Sequence, residues 1–336
     1  NCNFINNSAK EGGAVKITGS DVTIKNNCYF FNNTADSQGG ALKIDGNNYN
    51  ITDHCRFINN SANQGGAIYC WSNKGELNND CYFFNNTADE HGGAIKLENA
   101  KMKIYDNCRF INNTANNQGG AVKVDGGSSE LDISDNSHFI NNSANQGGAI
   151  HIWEGKVNIH DNCYFTNNTA VDVGGAIYWR GNDGNVDTAF FLGNNATKGS
   201  AIYKHSDCNS LTIKNTEFDK NRANADHIGI SIDKYVSYAL SNVTVDIYLV
   251  ANDNIANAIW NNGNPDSVWL KNITCIFSEG GDKRPKHTFN EETLANPDVK
   301  FEDSSRLWQS PYENAQLLDI TIKGPSGIIY QLDNGQ

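Results

Sequence analysis

Methionine occurs once and proline five times in the 336 residues, and no apolar run approaches the length of a membrane-spanning helix. A helix that crosses a bilayer needs about 20 consecutive apolar residues, so no such span is expected in this stretch of chain. Scarce proline excludes a polyproline linker or stalk. Basic residues are also in deficit, 26 Lys and Arg against 38 Asp and Glu, for a net charge of −12. The short run Lys283-Arg284-Pro285-Lys286 sits beside acidic residues. That balance lacks the electrostatic footprint of a nucleic-acid binder. No signal peptide heads the chain. Because it opens at Asn1-Cys2-Asn3-Phe4, in the middle of a repeat, a longer protein with its export signal and anchor elsewhere is the expectation.

What is abundant is repetition. The motif Phe-x-x-Asn-x-Ala occurs nine times, with its Phe at 4, 30, 57, 83, 110, 139, 165, 191 and 218, a spacing of 26 to 29 residues. A second motif, Gly-Gly-Ala followed by Ile, Val or Leu, begins at Gly12, Gly39, Gly65, Gly92, Gly119, Gly147 and Gly174, with a weaker copy at Gly199-Ser200-Ala201-Ile202. Mean hydropathy is −0.56, too polar for one thick core but adequate for a thin core refilled in every repeat. Each repeat holds three short alternating runs, such as Ala41–Asp45, Tyr49–Thr52 and Cys55–Ile58. Alternation of period two predicts strands, and runs this short exclude helices. The fold class expected is therefore all-β, a right-handed parallel β-helix of the pectin-lyase-like solenoid type. About 11 coils at a rise of about 4.8 Å each would give a rod about 50 Å long. Residues 1–277 are assigned to the β-helix. Residues 278–336 are assigned to a cap or linker followed by a C-terminal β-hairpin or partial β-domain, with Gly324-Pro325-Ser326-Gly327 as the hairpin turn.

In a solenoid, like residues stack into columns. The Phe and Ala-Ile columns are expected to form the core, and the Asn four residues into each motif (Asn7, Asn33, Asn60 and onward to Asn221) a hydrogen-bonded ladder through its own backbone and the Asn above. Cys2, Cys28, Cys55, Cys81, Cys108 and Cys163 share one inward column. Zinc-type Cys-x-x-Cys spacing is absent, and parallel Cβ vectors disfavour disulfides, so these read as buried free thiols, and neither metal nor cofactor is expected. Asn6, Asn32, Asn59, Asn85, Asn112, Asn141 and Asn167 each begin an N-glycosylation sequon; turns rich in Asn, Ser and Thr also generate sequons by accident.

Two outward faces are candidates for function. After Gly-Gly-Ala, one column runs Lys16, Lys43, Tyr69, Lys96, Lys123, His151, Tyr178, Tyr203, and its neighbour Thr18, Asp45, Trp71, Glu98, Asp125, Trp153, Arg180, His205. The Lys/acid pairs read as a solvated face of little energetic weight. The exceptions Tyr69, Trp71, His151, Trp153, Tyr178 and Arg180 are expected to form a platform for a sugar or protein ligand. Residues flanking each Phe (Tyr29/Phe31, Arg56/Ile58, Tyr82/Phe84, Arg109/Ile111) form an outward apolar stripe if alternation is strict, suited to lateral contact with a sister rod; a bulge would instead turn the Ile and Phe inward. The carboxylate clusters of solenoid lyases and hydrolases are missing: Glu98 and Asp125 are the only acids in adjacent coils of their column, and no Asn-Thr-Asp, Asp-Asp, Gly-His-Gly or Arg-Ile-Lys run occurs. The chain therefore reads as no enzyme.

The pairing of Phe-x-x-Asn with Gly-Gly-Ala-(Ile/Leu/Val) over about residues 1 to 230 resembles the polymorphic outer membrane protein repeat, found in chlamydial surface autotransporters and in adhesin-like proteins of methanogenic archaea. The run Asn112-Asn113-Thr114-Ala115 through Gly119-Gly120-Ala121 is most similar to the archaeal group. The resemblance implies an adhesin-like rod, extracellular at a cell surface, attaching to a glycan or protein of another cell. The alternatives are a structural envelope component and, further off, a polysaccharide lyase or hydrolase.

Overall fold

A computed structural model describes residues 1–223, except 20, 47, 72–73, 206, 209–210 and 220, and beyond them only the strands at 243–250, 259–261, 269–276, 302–303, 306–307, 316–323 and 329–332. The chain is an all-β parallel solenoid, with no helix among the described residues. The described residues build about seven turns; the further coils expected from sequence fall mainly outside them. Register is that of the repeat: Phe4 pairs with Phe30, Phe30 with Phe57, Phe57 with Phe83. Strands Gln316–Lys323 and Ile329–Leu332 pair antiparallel, and Gln316–Lys323 also lies parallel to Trp269–Ile276. The turn expected at 324–327 and the assigned cap over 278–301 lie outside the described residues.

Each coil has four strands rather than the expected three, for example Leu42–Ile44, Asn48–Ile51, Arg56–Ile58 and Ser61–Gln64. The additional strand lies in the polar segment after the Asn ladder. It sends a single alanine inward, and Ala35, Ala62, Ala88, Ala115, Ala144, Ala170 and Ala196 are all buried. One small apolar residue per strand gives no alternation to detect, so the segment reads as turn. These strands form a nine-stranded sheet of their own.

Corners explain the asparagine content. Asn and Asp tolerate the left-handed backbone better than other non-glycine residues, because their short side chains bond locally. Pairs such as Asp53-His54, Asn79-Asp80 and Asp106-Asn107 have positive φ at one bend, and the sequon asparagines at the next, with φ of 54 to 57°. The third bend uses glycine: Gly92 has φ +66°, and a Cβ on Gly93 would lie 2.1 Å from the carbonyl oxygen of Gly120. A side chain has no room at either glycine of this coil; Ser200 takes the second position in the last copy of the motif.

The Phe rings stack at centroid separations of 4.7 to 5.0 Å from Phe4 to Phe191. Each fully buried ring contributes about 1.5–3 kcal/mol of transfer free energy. The Asn ladder differs in detail from expectation, bonding neighbouring coils rather than its own backbone. Asn113 Oδ1 accepts from the backbone N–H and Nδ2 of Asn86, and Asn113 Nδ2 donates to Phe83 O and Asn142 Oδ1.

The column cysteines with buried side chains are free thiols, each donating to a backbone carbonyl, as Cys108 Sγ does to Tyr105 O at 3.3 Å and Cys163 Sγ to His160 O at 3.1 Å. Ser137 occupies the same column with the same bond, to Ser134 O. Burial pushes the Cys163 thiol up to about 12. Of the eight cysteines whose side chains are described, Cys2 alone is exposed. In the native state it alone should therefore react rapidly with a thiol reagent, the buried seven reacting after denaturation. Fast native labelling of Cys55 or Cys81, read by peptide mass, would contradict this packing.

Candidate functional site

The strand that follows each Gly-Gly bend carries the candidate ligand face. Its inward residues, Leu42 and Ile44 or Ile95 and Leu97, are in the core. The outward column is not the solvated face expected from sequence. Lys43, Tyr69, Lys96, Lys123, His151, Tyr178 and Tyr203 are all buried, Lys123 at 1% exposure and His151 at 0%. The reason is the Gly-Gly bend, which brings the end of the preceding strand against this column. Glu11 reaches Lys16 at 2.7 Å and Lys43 at 2.8 Å across it, and at His91, three coils on from Glu11, burial and then Lys96 and Lys123 depress the pKa from the same side. The aliphatic stems fill this seam while their head groups find partners inside it.

The ion pairs also differ from expectation. Lys96 Nζ binds Asp125 Oδ2 of the next coil at 2.6 Å, not Glu98. Glu98 instead accepts the hydroxyl of Tyr69. Lys123 contacts neither acid and lies 2.9 Å from His151 Nδ1. Burial pushes Lys123 down to about 7, with Asp125 opposing. His151 is driven well below the usual histidine range by burial and then by Lys123, and its Nε2 has no hydrogen-bond partner. Asp125 is held below the usual carboxylate range; burial pushes it up, but the bond and charge of Lys96 outweigh it.

These shifts set a pH dependence. Between about pH 7 and the ordinary lysine value of 10.5, the unfolded chain holds the Lys123 proton and the folded one does not. Lys123 therefore contributes stability that rises with pH from about 7, until the buried thiols Cys70 and Cys163, raised from 9.0 to about 12, begin to oppose it above about pH 9. His151 acts in the same direction, removing stability as pH falls below its unfolded value of 6.5. Lys123→Met should flatten the rise in Tm between pH 7 and 9. A parent Tm that declines steadily over that range would refute the assignment.

The rim of the seam holds the tryptophans. Trp71 is 50% and Trp153 37% exposed. Trp71 pairs in register with Glu98, and Glu98 with Asp125, so the two indoles are three coils apart, about 14 Å at the parallel-sheet spacing. Of the six expected platform residues, four cluster: His151 stacks on Tyr178 at 4.3 Å and lies 6.2 Å from Trp153, and Arg180 sits 3.8 Å above the Trp153 ring. Asp207 anchors Arg180 at 2.7 Å. Tyr69 and Trp71 form a second, separate group. Tyr69, His151 and Tyr178 are buried supports, which leaves the two indoles and Arg180 as the accessible surface. Lys123, His91 and Glu11 are parts of the seam that sequence reasoning missed. The available signal was the column's restriction to Lys, Tyr and His, long side chains that lie flat beneath a cover.

Alternation around Phe is strict, so the apolar stripe does face outward. Ile5 is 46% exposed, and Tyr29, Phe31, Tyr82, Phe84, Ile111, Ile140 and Tyr164 are partly exposed. The rings are ordered: Tyr29 against Phe31 at 5.6 Å, and His138 on Tyr164 at 4.8 Å. The sequon asparagines are likewise exposed, and Asn32 Nδ2 donates to Asn6 Oδ1 at 2.8 Å. Among the described residues no three His, Cys, Asp or Glu side chains converge as metal ligands.

Six segments of the chain, residues 22–45, 54–70, 80–98, 107–125, 136–152 and 162–178, match the Chlamydia polymorphic membrane protein repeat. The six segments are similar to that repeat and together cover about a third of the chain. Each matched segment ends inside or just after the strand bearing the seam, at Asp45, Cys70, Glu98, Asp125, Ile152 or Tyr178. The matched segments thus hold most of the Phe stack, the Asn ladder, the Gly-Gly bend and the seam, while Trp71, Trp153 and Arg180 fall just outside them. No curated protein and no solved structure matches the chain.

Proposed function

We propose that the chain is an adhesin-like rod displayed outside the cell, which holds a glycan or protein of another cell on the face carrying Trp71 and Trp153. The observation that carries this reading is the contrast between two neighbouring columns: buried Lys, Tyr and His side chains of one support two exposed indoles of the other on a rigid sheet. Polymorphic membrane protein repeats support a surface location. The likeness to methanogen adhesin-like proteins rests on the run from Asn112 to Ala121. A non-enzymatic role is favoured by the state of the one acid pair in adjacent coils of this column, since Asp125 is tied to Lys96 and Glu98 takes the Tyr69 hydroxyl. Neither is a poised proton donor.

The test is binding to glycan and protein arrays. Trp71→Ala with Trp153→Ala is expected to weaken any hit by about tenfold or more, since exposed aromatic anchors carry a large share of such contacts. A double variant that binds as the parent does would remove this face from consideration. The outward stripe supports a further contact, side by side with a second rod. That contact predicts concentration-dependent association in sedimentation, reversed by Phe84→Glu; a monodisperse monomer at high concentration would exclude it.

A further inference from the structure

Trp71 and Trp153 occupy the same column but meet different neighbours. Above Trp153 lies the guanidinium of Arg180, 3.8 Å from the ring, with Lys123 Nζ 5.4 Å from it. Above Trp71, in the register position that Arg180 holds over Trp153, lies the carboxylate of Glu98. An indole face is electron-rich and attracts cations; a carboxylate beside it gains nothing from that field.

The charges of the seam point the same way. Asp125 has Lys96 at 2.6 Å. On the other side of Trp71, Asp45 has only Lys43 at 3.6 Å, a lysine held more closely by Glu11 at 2.8 Å. The Oδ1 of Asp45 is buried without a hydrogen-bond partner. Glu98 receives one neutral donor, the Tyr69 hydroxyl, and among the described residues no cation lies within ion-pair distance of it. A half-exposed indole thus sits between two under-compensated carboxylates.

We infer that Trp71, with Glu98 and Asp45, receives a cationic side chain of a protein partner, an arginine in first place. The contact of Arg180 with Trp153 and Asp207 is the same arrangement completed within the chain: a guanidinium flat on the indole and bonded to a carboxylate. A guanidinium does both at once, because it is planar, stacks on aromatic faces and presents donors in a fork that fits a carboxylate. The inference rests on the platform reading above and names the chemistry of its partner.

The probe is a peptide with three arginines spaced by glycine, set against its citrulline analogue, which keeps shape and loses charge. Binding is followed by the indole N–H resonances of the whole chain, assigned with Trp71→Phe and Trp153→Phe. The arginine peptide should shift the Trp71 resonance and leave that of Trp153 in place, and the citrulline analogue should do neither. Glu98→Gln keeps an acceptor for Tyr69 and removes the charge; it should weaken binding about five- to tenfold. Equal binding of the two peptides, or an unchanged affinity in Glu98→Gln, overturns the inference. So does a Trp71 resonance that moves only with a neutral oligosaccharide, an outcome that leaves the platform itself standing. Array binding that survives loss of both tryptophans removes the platform and this inference together.

Discussion

Asn113→Asp is expected to destabilise the solenoid by about 3–5 kcal/mol at neutral pH, the usual consequence of an uncompensated buried charge. Asn113 is fully buried. Its Oδ1 accepts two bonds from Asn86, which a carboxylate would preserve. Its Nδ2 donates to Phe83 O at 3.1 Å and to Asn142 Oδ1 at 3.0 Å. Aspartate sets an oxygen there against two acceptors, with no cation in the ladder to neutralise it. The folded state then favours the protonated acid, so the new group's folded pKa lies above its unfolded value. Its stability contribution is retained at low pH and lost as pH rises through the folded pKa. Urea midpoints should therefore separate from the parent's widely at pH 8 and narrowly at pH 4. Midpoints that match at both would show that the ladder adds no stability.

Gly75→Ala should be almost as severe, and its cause lies one coil away. A Cβ on Gly75 would fall 2.0 Å from the ring of Tyr49. Tyr49 is buried, and its hydroxyl accepts from Cys70 Sγ at 3.2 Å. Overpacking of this kind costs about 1–3 kcal/mol, and the ring has nowhere to go. The same column holds Val22, Met102, Leu131 and Val157 in other coils. Tyr49→Leu should therefore relieve the clash, and the double variant Tyr49→Leu/Gly75→Ala should be more stable than Gly75→Ala alone. A double-mutant cycle should give a coupling of about 1–3 kcal/mol; simple additivity would mean that ring and Cβ never meet. Gly184 is crowded by a ring of its own coil, with a Cβ 2.1 Å from the indole of Trp179.

The two pairs mark where reading the sequence stops. A glycine at 75 or 184 reads as a weak strand position, and only the folded coils show which ring fills the space beside it, Tyr49 from the neighbouring coil or Trp179 from the same one. The Asn ladder was legible in outline, since nine asparagines in one phase must lie over one another. Its bonding to the coil before and the coil after was not, because sequence phase gives the position of an amide but not its orientation. The additional strand was hidden by polarity: Ala88 and Ala115 are its whole inward content.

The candidate face divides in the same way. Trp71, Trp153 and Arg180 could be placed on one outward column by counting residues after Gly-Gly-Ala. That Lys96 and Lys123 beside them are buried, that Lys96 serves Asp125 rather than Glu98, and that Arg180 covers Trp153 while no cation among the described residues covers Trp71 required coordinates.

Sequence alone determined the fold and the stacking of the Phe, Ala-Ile, Cys and Asn columns, because a repeat of about 27 residues closes one coil and each backbone must bond to its own copy one coil later. Tertiary structure decided which outward columns meet water. A bend of two glycines folds one face of the coil against the next, and burial there depends on the angle between two strands, which no periodicity encodes.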